Sequence, residues 1–357
     1  MIFRSKKGKG GAAVADRGPE LLAAYDSVST EMVFEEIDAL TREHRASHDE
    51  QIGHRILMLR YLAGRRLARA PDTRPEHPAP AADQLPADSG IPEIAPGELT
   101  PELLRAGMLR NGCVLIRGLI DTEEAAALVD GIDRAFESRD ARGAGRRGDS
   151  AYFAEFDPEP GVVDLFPERG WVGDASGIWA ADSPRVMVDV LDAFERGGLQ
   201  RVATEYLGER PVISVNKCTL RKVKPDLFQG ENLSAWHQDG AFLGDEVRAL
   251  NVWLSLSRCG DEAPGLDIIP RRLERIVPTG TEGAVFDWSV SQAVAEEAAG
   301  DVAIARPIFE PGDVLLFDDL FLHATAAEPE MPNTRYAVES WFFGPSGFPS
   351  DYAPLAF

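Results

Sequence analysis

The sequence predicts an α+β protein built on a double-stranded β-helix, or jelly roll, with flanking helices and an N-terminal helical extension. Three observations carry this expectation. From about Leu99 onward the chain breaks into short strand-like runs separated by turn residues. Helical periodicity is concentrated ahead of them, between Pro19 and Ala70. A proline-rich stretch divides the two textures. The predicted units are therefore 1–70, a basic tail with a helical extension; 71–98, a linker; and 99–357, the jelly-roll domain.

Each element follows from its residues. In the extension Met32, Phe34, Ile37 and Leu40, then Ile52, Ile56, Leu57, Leu59 and Leu62, recur at threes and fours among charges, and Thr30 can cap the start. His44 and His48 stand four apart on this helix, where the spacing alone favours a solvated face over a metal pair, because no third ligand is evident. Pro71, Pro75, Pro78, Pro80, Pro86, Pro92 and Pro96 make the linker extended. Cys113–Gly118 reads as a strand ending at a glycine. Asp121-Thr-Glu-Glu then opens a helix through Phe136, with Ala125, Leu128, Val129, Ile132 and Phe136 on one face. Residues 139–149, rich in glycine and arginine without a period, read as a mobile loop. A second helix is predicted from Ser183 to Leu207, and strands at 211–224, 249–257, 264–269, 302–309, 313–317 and 335–343. The aromatic-bearing loops around 139–180 and 270–300 are candidate lids.

Composition narrows the function. The 357 residues carry a formal net charge of −22, which argues against nucleic acid as the main partner, since phosphate binding needs a positive field. No apolar run is long enough to cross a membrane, and the basic N-terminus has no apolar stretch behind it that would make a secretory signal. Cys113, Cys218 and Cys259, odd in number and widely spaced, suggest neither a disulfide framework nor a zinc pattern, and predict a reducing, cytoplasmic setting.

The chemistry lies in two segments. His237-Gln-Asp239 offers an imidazole and a carboxylate two residues apart, which on a strand point the same way. His323 follows the run Gly312-Asp-Val-Leu-Leu-Phe317 and is expected from a non-adjacent strand. Together His237, Asp239 and His323 are the ligand set of a 2-His-1-carboxylate iron(II) site with positions left open for a bidentate oxo-acid and O2. Arg335, twelve residues beyond His323, can hold the far carboxylate of such an oxo-acid, 2-oxoglutarate.

The segments 111–124, Trp236-His-Gln-Asp-Gly240, Ala263–Pro270 and Pro311–Phe317 with His323 and Arg335 resemble the phytanoyl-CoA hydroxylase-like branch of the iron(II)/2-oxoglutarate dioxygenases, over about 105–345. The resemblance implies that His237, Asp239 and His323 bind iron. It also implies that Arg335, with Thr325, binds the C5 carboxylate of 2-oxoglutarate. Trp253 alternates with Asn251 and Ser255 on one face of its strand and reads equally as a cavity wall or a core aromatic. Lys222 and Lys224 are weaker candidates for anchoring the co-substrate. Relatives often carry Pro-Gly-Ser-His where this chain has Pro270-Arg-Arg272-Leu, two charges that suit an anionic substrate or, more simply, surface ion pairs. The retained Asp239 favours C–H hydroxylation over halogenation. The expected partner is a small-molecule substrate of unstated identity. A jelly-roll metalloenzyme that does not use 2-oxoglutarate and a non-catalytic binding relative stay open as alternatives.

Overall fold

The computed structural model describes residues 18–68, 75–86, 90–160, 166–228, 235–243 and 247–357. The expected basic tail, and the linker over 71–74 and 87–89, lie outside these residues.

The extension folds as three helices: α1 (Gly18–Ala24), α2 (Thr30–Ser47) and α3 (Glu50–Leu67). Ser29, one residue before the expected Thr30, caps α2 by accepting a hydrogen bond from Met32 N, and Asp49 caps α3. These helices share one continuous apolar core with the rest of the chain, in which Val33, Ile37, Ile56 and Tyr61 pack with Val186, Phe194 and Leu355. Gly64 permits the closest approach. A Cβ there would lie 2.6 Å from Pro354 O, on the last strand of the chain.

Helix α4 (Pro101–Asn111), capped by Thr100, falls where the sequence texture reads as strand-like. It lies against β2 (Cys113–Ile116), which pairs in parallel with β1 (Glu93–Ile94). Helix α5 (Thr122–Gly143) starts where expected, with Asp121 accepting from Glu124 N, but runs seven residues past Phe136. The mobile-loop expectation therefore fails for 139–143. Those arginines find partners: the Arg139 guanidinium covers the Phe136 ring at 4.6 Å, and Arg142 donates to Phe153 O at 3.2 Å. After α6 (Phe166–Asp174) and β3 (Gly177–Trp179), the expected helix over 183–207 is two helices. Gly198, at φ 77°, separates α7 (Pro184–Arg196) from α8 (Leu199–Leu207).

The strands β4 (Val212–Val223), β5 (Ala249–Ser255), β6 (Gly265–Ile268), β7 (Val314–Phe317), β8 (His323–Ala326), β9 (Arg335–Phe343) and β10 (Pro354–Ala356) complete the roll. The large sheet runs β1-β2-β7-β5-β9-β4-β10, with β3 also on β4. The small sheet pairs β6 with β8 and is widened by single bridges, His237 to His323, Trp236 to Val290 and Ile268 to Ala305. The strand expected at 302–309 is reduced to such bridges, at Ala305 and Phe309. Short helix α9 (Gln292–Ala299) lies just before it.

Alternation divides the large sheet cleanly. Val252, Leu254, Leu220, Val338 and Phe342 belong to the core shared with the helices. Trp253, Ala337, Leu115, Leu315 and Phe317 meet Leu266 and Ile268 of the small sheet, together with Phe309, in a second core between the sheets. The candidate site lies in that inter-sheet space.

Candidate metal centre and oxo-acid clamp

His237 and His323 are not on distant strands, as expected, but directly opposite one another. Each accepts the other's backbone N–H, at 2.9 and 3.1 Å, so their rings stand 4.4 Å apart. Asp239 is also placed differently from the expectation. It opens a single 3₁₀ turn, Asp239–Phe242, instead of continuing a strand, and the turn swings its carboxylate to within 3.6 Å of His237 Nε2. One ligand atom from each of the three residues lies within 4.8 Å of the others.

The ring nitrogens are sorted. His237 Nδ1 donates to Ala235 O at 2.9 Å and His323 Nδ1 donates to Phe321 O at 3.0 Å, which leaves the Nε2 lone pair of each ring available to a metal. Asn251 Nδ2 donates to Asp239 Oδ2 and orients it. Burial, then the neighbouring His323, pushes His237 down to about 4, and burial likewise lowers His323. Burial raises Asp239 to about 6, against the pull of His237 and of the Lys217 ammonium. Two neutral imidazoles and a desolvated carboxylate are the donor set a divalent iron needs, and the ion would repay the cost of burying that carboxylate.

Arg335 is fully buried, at 0% exposure. Its NH1 donates to Gly265 O at 3.1 Å, at the β6 end beside Thr325's strand, while Nε and NH2 have no partner. Burial and the nearby Arg221 lower it to about 10. Two unpartnered guanidinium donors in a dry interior are a ready seat for a carboxylate. Thr325 lies two residues from His323 on β8, hence on the same face, paired in register with Leu266. Trp253 packs on Phe309 at 4.6 Å and lies 5.6 Å from the Arg335 guanidinium, its indole N–H unpartnered.

Lys222 is not brought to the site. It projects toward the helices, where its Nζ pairs with Asp133 at 2.5 Å beside the Tyr336 hydroxyl. Lys224, just past the end of β4, is exposed. The alternation on β4 places Thr219 and Arg221 inward instead, one residue out of phase with the sequence reading. Both contact Glu339, which accepts from Thr219 Oγ1 at 3.0 Å and lies 3.2 Å from Arg221 Nε. Burial pushes Glu339 up, but Arg221 and Arg335 outweigh it, and the carboxyl is held below its usual value. Neither Glu339 nor Arg221 was a sequence candidate. The signal was available in the alternation Arg335-x-Ala337-x-Glu339-x-Trp341, once Arg335 was set inward.

Beyond Trp341 the space opens among aromatic rings. Lys217 Nζ sits 5.3 Å from the Phe242 and Trp341 ring centres and 5.7 Å from that of Trp171. Trp288 stands edge-on to His237 at 5.7 Å and carries Phe286 stacked on it at 5.0 Å. Of the expected lid aromatics, Trp171 and Phe286 are exposed, at 53% and 45%, whereas Tyr152, Phe153 and Trp179 are buried in the helix-side core. The bridge Trp236–Val290 fixes the Trp288 loop next to His237.

The arginines at the unusual turn serve the fold. Arg271 donates to Ala299 O at 3.0 Å, and Arg272 pairs with Asp318. Arg272, Arg105 and Arg248 line a cavity of about 580 Å³ whose wall includes Gly240 and Asp319.

The family model described as phytanoyl-CoA dioxygenase matches residues 108–328. No curated protein matches the chain. Among solved structures, EctD from S. alaskensis with bound Fe is 20% identical, with 78% of this chain and 89% of that one covered and a TM-score of 0.46. EvdO2 from Micromonospora carbonacea var. aurantiaca complexed with 2-oxoglutarate is 17% identical, covering 71% and 91%, with a TM-score of 0.43. AviO1 from Streptomyces viridochromogenes Tue57 is 16% identical, covering 69% and 96%, with a TM-score of 0.42.

Proposed function

The chain belongs to the phytanoyl-CoA dioxygenase family, and from that premise we propose that it is an iron(II)- and 2-oxoglutarate-dependent dioxygenase of the hydroxylase type. Its substrate is a small-molecule metabolite or natural-product intermediate that is oxidised at an unactivated C–H bond, with release of succinate and CO2. The observation that carries this reading is the buried Arg335 with two unpartnered donors, in the same inter-sheet space as His237, Asp239 and His323. A jelly-roll metalloenzyme without an oxo-acid has no use for such a clamp.

The residues divide the work. His237, Asp239 and His323 would hold iron, and Asn251, donating to Asp239 Oδ2, fixes the orientation of that carboxylate. Iron, once bound, supplies the activation of O2. Arg335, with Thr325, receives the C5 carboxylate and so fixes the orientation of the oxo-acid. Trp253 walls that end and excludes water from it. The substrate enters at the other end, past Phe242, Trp288 and Trp341, a lining suited to a molecule with an apolar or ring-bearing body.

Anaerobic titration of the protein with iron(II) and 2-oxoglutarate tests the assignment through the visible metal-to-ligand charge-transfer band. The band is expected in the wild type, absent in His237→Ala, and shifted to far higher 2-oxoglutarate in Arg335→Ala. Bound iron without a band refutes the reading. For the hydroxylase outcome, the product must gain one oxygen atom from ¹⁸O2. A desaturated or cyclised product without that atom overturns it.

A further inference from the structure

The sequence offered His44 and His48 as a pair lacking a third ligand. The fold supplies one. Helix α3 packs between α2 and α7, and the C-terminal end of α2 reaches α7 directly, where Arg45 Nε donates to Asp192 at 2.7 Å. One helical turn before Asp192, Asp189 brings its carboxylate to the two imidazoles, so that one ligand atom from each of His44, His48 and Asp189 lies within 4.8 Å of the others.

The geometry points to a second divalent-metal site, of the zinc class, formed by His44, His48 and Asp189. His44 is 2% exposed and neither of its ring nitrogens makes a well-aligned hydrogen bond. A buried imidazole normally satisfies at least one nitrogen, because leaving a polar atom dry costs about 1–3 kcal/mol. A metal bond satisfies it. The ring packs against Gly53 of α3, where a Cβ would stand in ordinary contact with it, 3.4 Å from His44 Cε1. His48 ends α2 in the left-handed region at φ 51°, ψ 33°, its N–H on His44 O, and its ring meets that of His44 edge-on at 5.9 Å. A histidine tolerates that conformation less readily than glycine or asparagine, and here it sets the imidazole beside its partner.

Asp189 also accepts from Arg185 Nε at 2.6 Å, which orients the carboxylate and leaves it a second oxygen. Two imidazole nitrogens and one carboxylate oxygen, with His48 exposed, make a three-ligand site open to water on one side, within the ligand chemistry of Zn(II). Since α2 belongs to the extension and α7 to the main body, the ion would staple one to the other.

The test uses the full chain with His237→Ala and His323→Ala, so that only the second site remains. After chelation, exposure to Zn(II) and removal of excess metal, elemental analysis is expected to find one zinc per chain. Adding His48→Asn should abolish it. Asparagine keeps the left-handed cap and removes the imidazole, so the fold is not at stake. Zn(II) should also raise the melting temperature of the first protein and not of the second. No zinc in the first protein, or equal zinc in both, overturns the proposal. The 2-oxoglutarate reading is untouched by either result.

Discussion

A buried guanidinium with idle donors is a liability until its carboxylate arrives, and this makes Arg335 a two-sided test. Nε and NH2 are both buried and unpartnered, and each such donor costs about 1–3 kcal/mol. Arg335→Met keeps most of the side-chain volume and removes both, at the loss of one hydrogen bond to Gly265 O, worth about 1 kcal/mol. The apo variant should thus be more stable than wild type by about 2 kcal/mol, roughly 3 °C in a chain of this size. Glu339 does not lose its counter-charge, because Arg221 and Thr219 remain on it. The co-substrate reverses the ranking. At a hundred times its dissociation constant 2-oxoglutarate stabilises the wild type by about 2.7 kcal/mol, whereas loss of a buried charge partner weakens its binding by about 3–5 kcal/mol, or roughly 10²–10⁴-fold. Differential scanning fluorimetry with and without 2-oxoglutarate, under anaerobic conditions with iron(II), reads both effects. An apo variant that melts below the wild type, or one that keeps the full 2-oxoglutarate shift, refutes the reasoning.

Other expectations follow from single contacts. Asn251→Leu frees Asp239 to turn and should weaken iron(II) binding by about 10–100-fold, measured by anaerobic iron titration; unchanged affinity removes Asn251 from the centre. His77, lowered by burial to about 4, is uncharged when folded and takes up a proton more readily when unfolded. Its contribution to stability is present above pH 6.5 and is lost as the pH falls toward 4. The His77→Gln variant should accordingly lose less melting temperature than wild type between pH 7 and pH 4.5, and parallel curves would show that His77 carries no such linkage. Gly107 lets α4 sit on β2, since a Cβ there would fall 2.2 Å from Val114 Cγ2. Gly107→Ala should cost about 1–3 kcal/mol in chemical denaturation, and Val114→Ala in the same chain should recover part of it; additive losses would contradict the contact.

Much of the centre was legible because its chemistry is short-range in sequence or restricted in residue type. His-x-Asp, a lone downstream His and a buried-strand Arg announce themselves. Less legible was anything decided by phase or by a partner far along the chain. Lys222 and Arg221 are neighbours, and only the pairing of β4 with β9 determines which one faces inward. The ligand pair His237–His323 is made by a cross-strand bridge between residues 86 apart in the chain (323 − 237), which spacing does not reveal. Asp189 is hidden from His44 for the same reason. Helix lengths failed at their ends, where the outcome rests on tertiary contacts: Arg139 on Phe136 prolongs α5, and Gly198 divides α7 from α8.

The position of β9 has a consequence for how such an enzyme changes over evolutionary time. Held between β4 and β5 along most of its length, it carries Arg335, Glu339 and Trp341 in one inward row. Inserting or deleting a residue in it would shift two ladders together, so this part of the chain is frozen in length. Trp171, Phe286 and Trp288 hang instead from a short helix and a loop outside both sheets. Those segments can be lengthened, shortened or exchanged without disturbing the strand that carries the clamp, and selection for a new substrate would act there first.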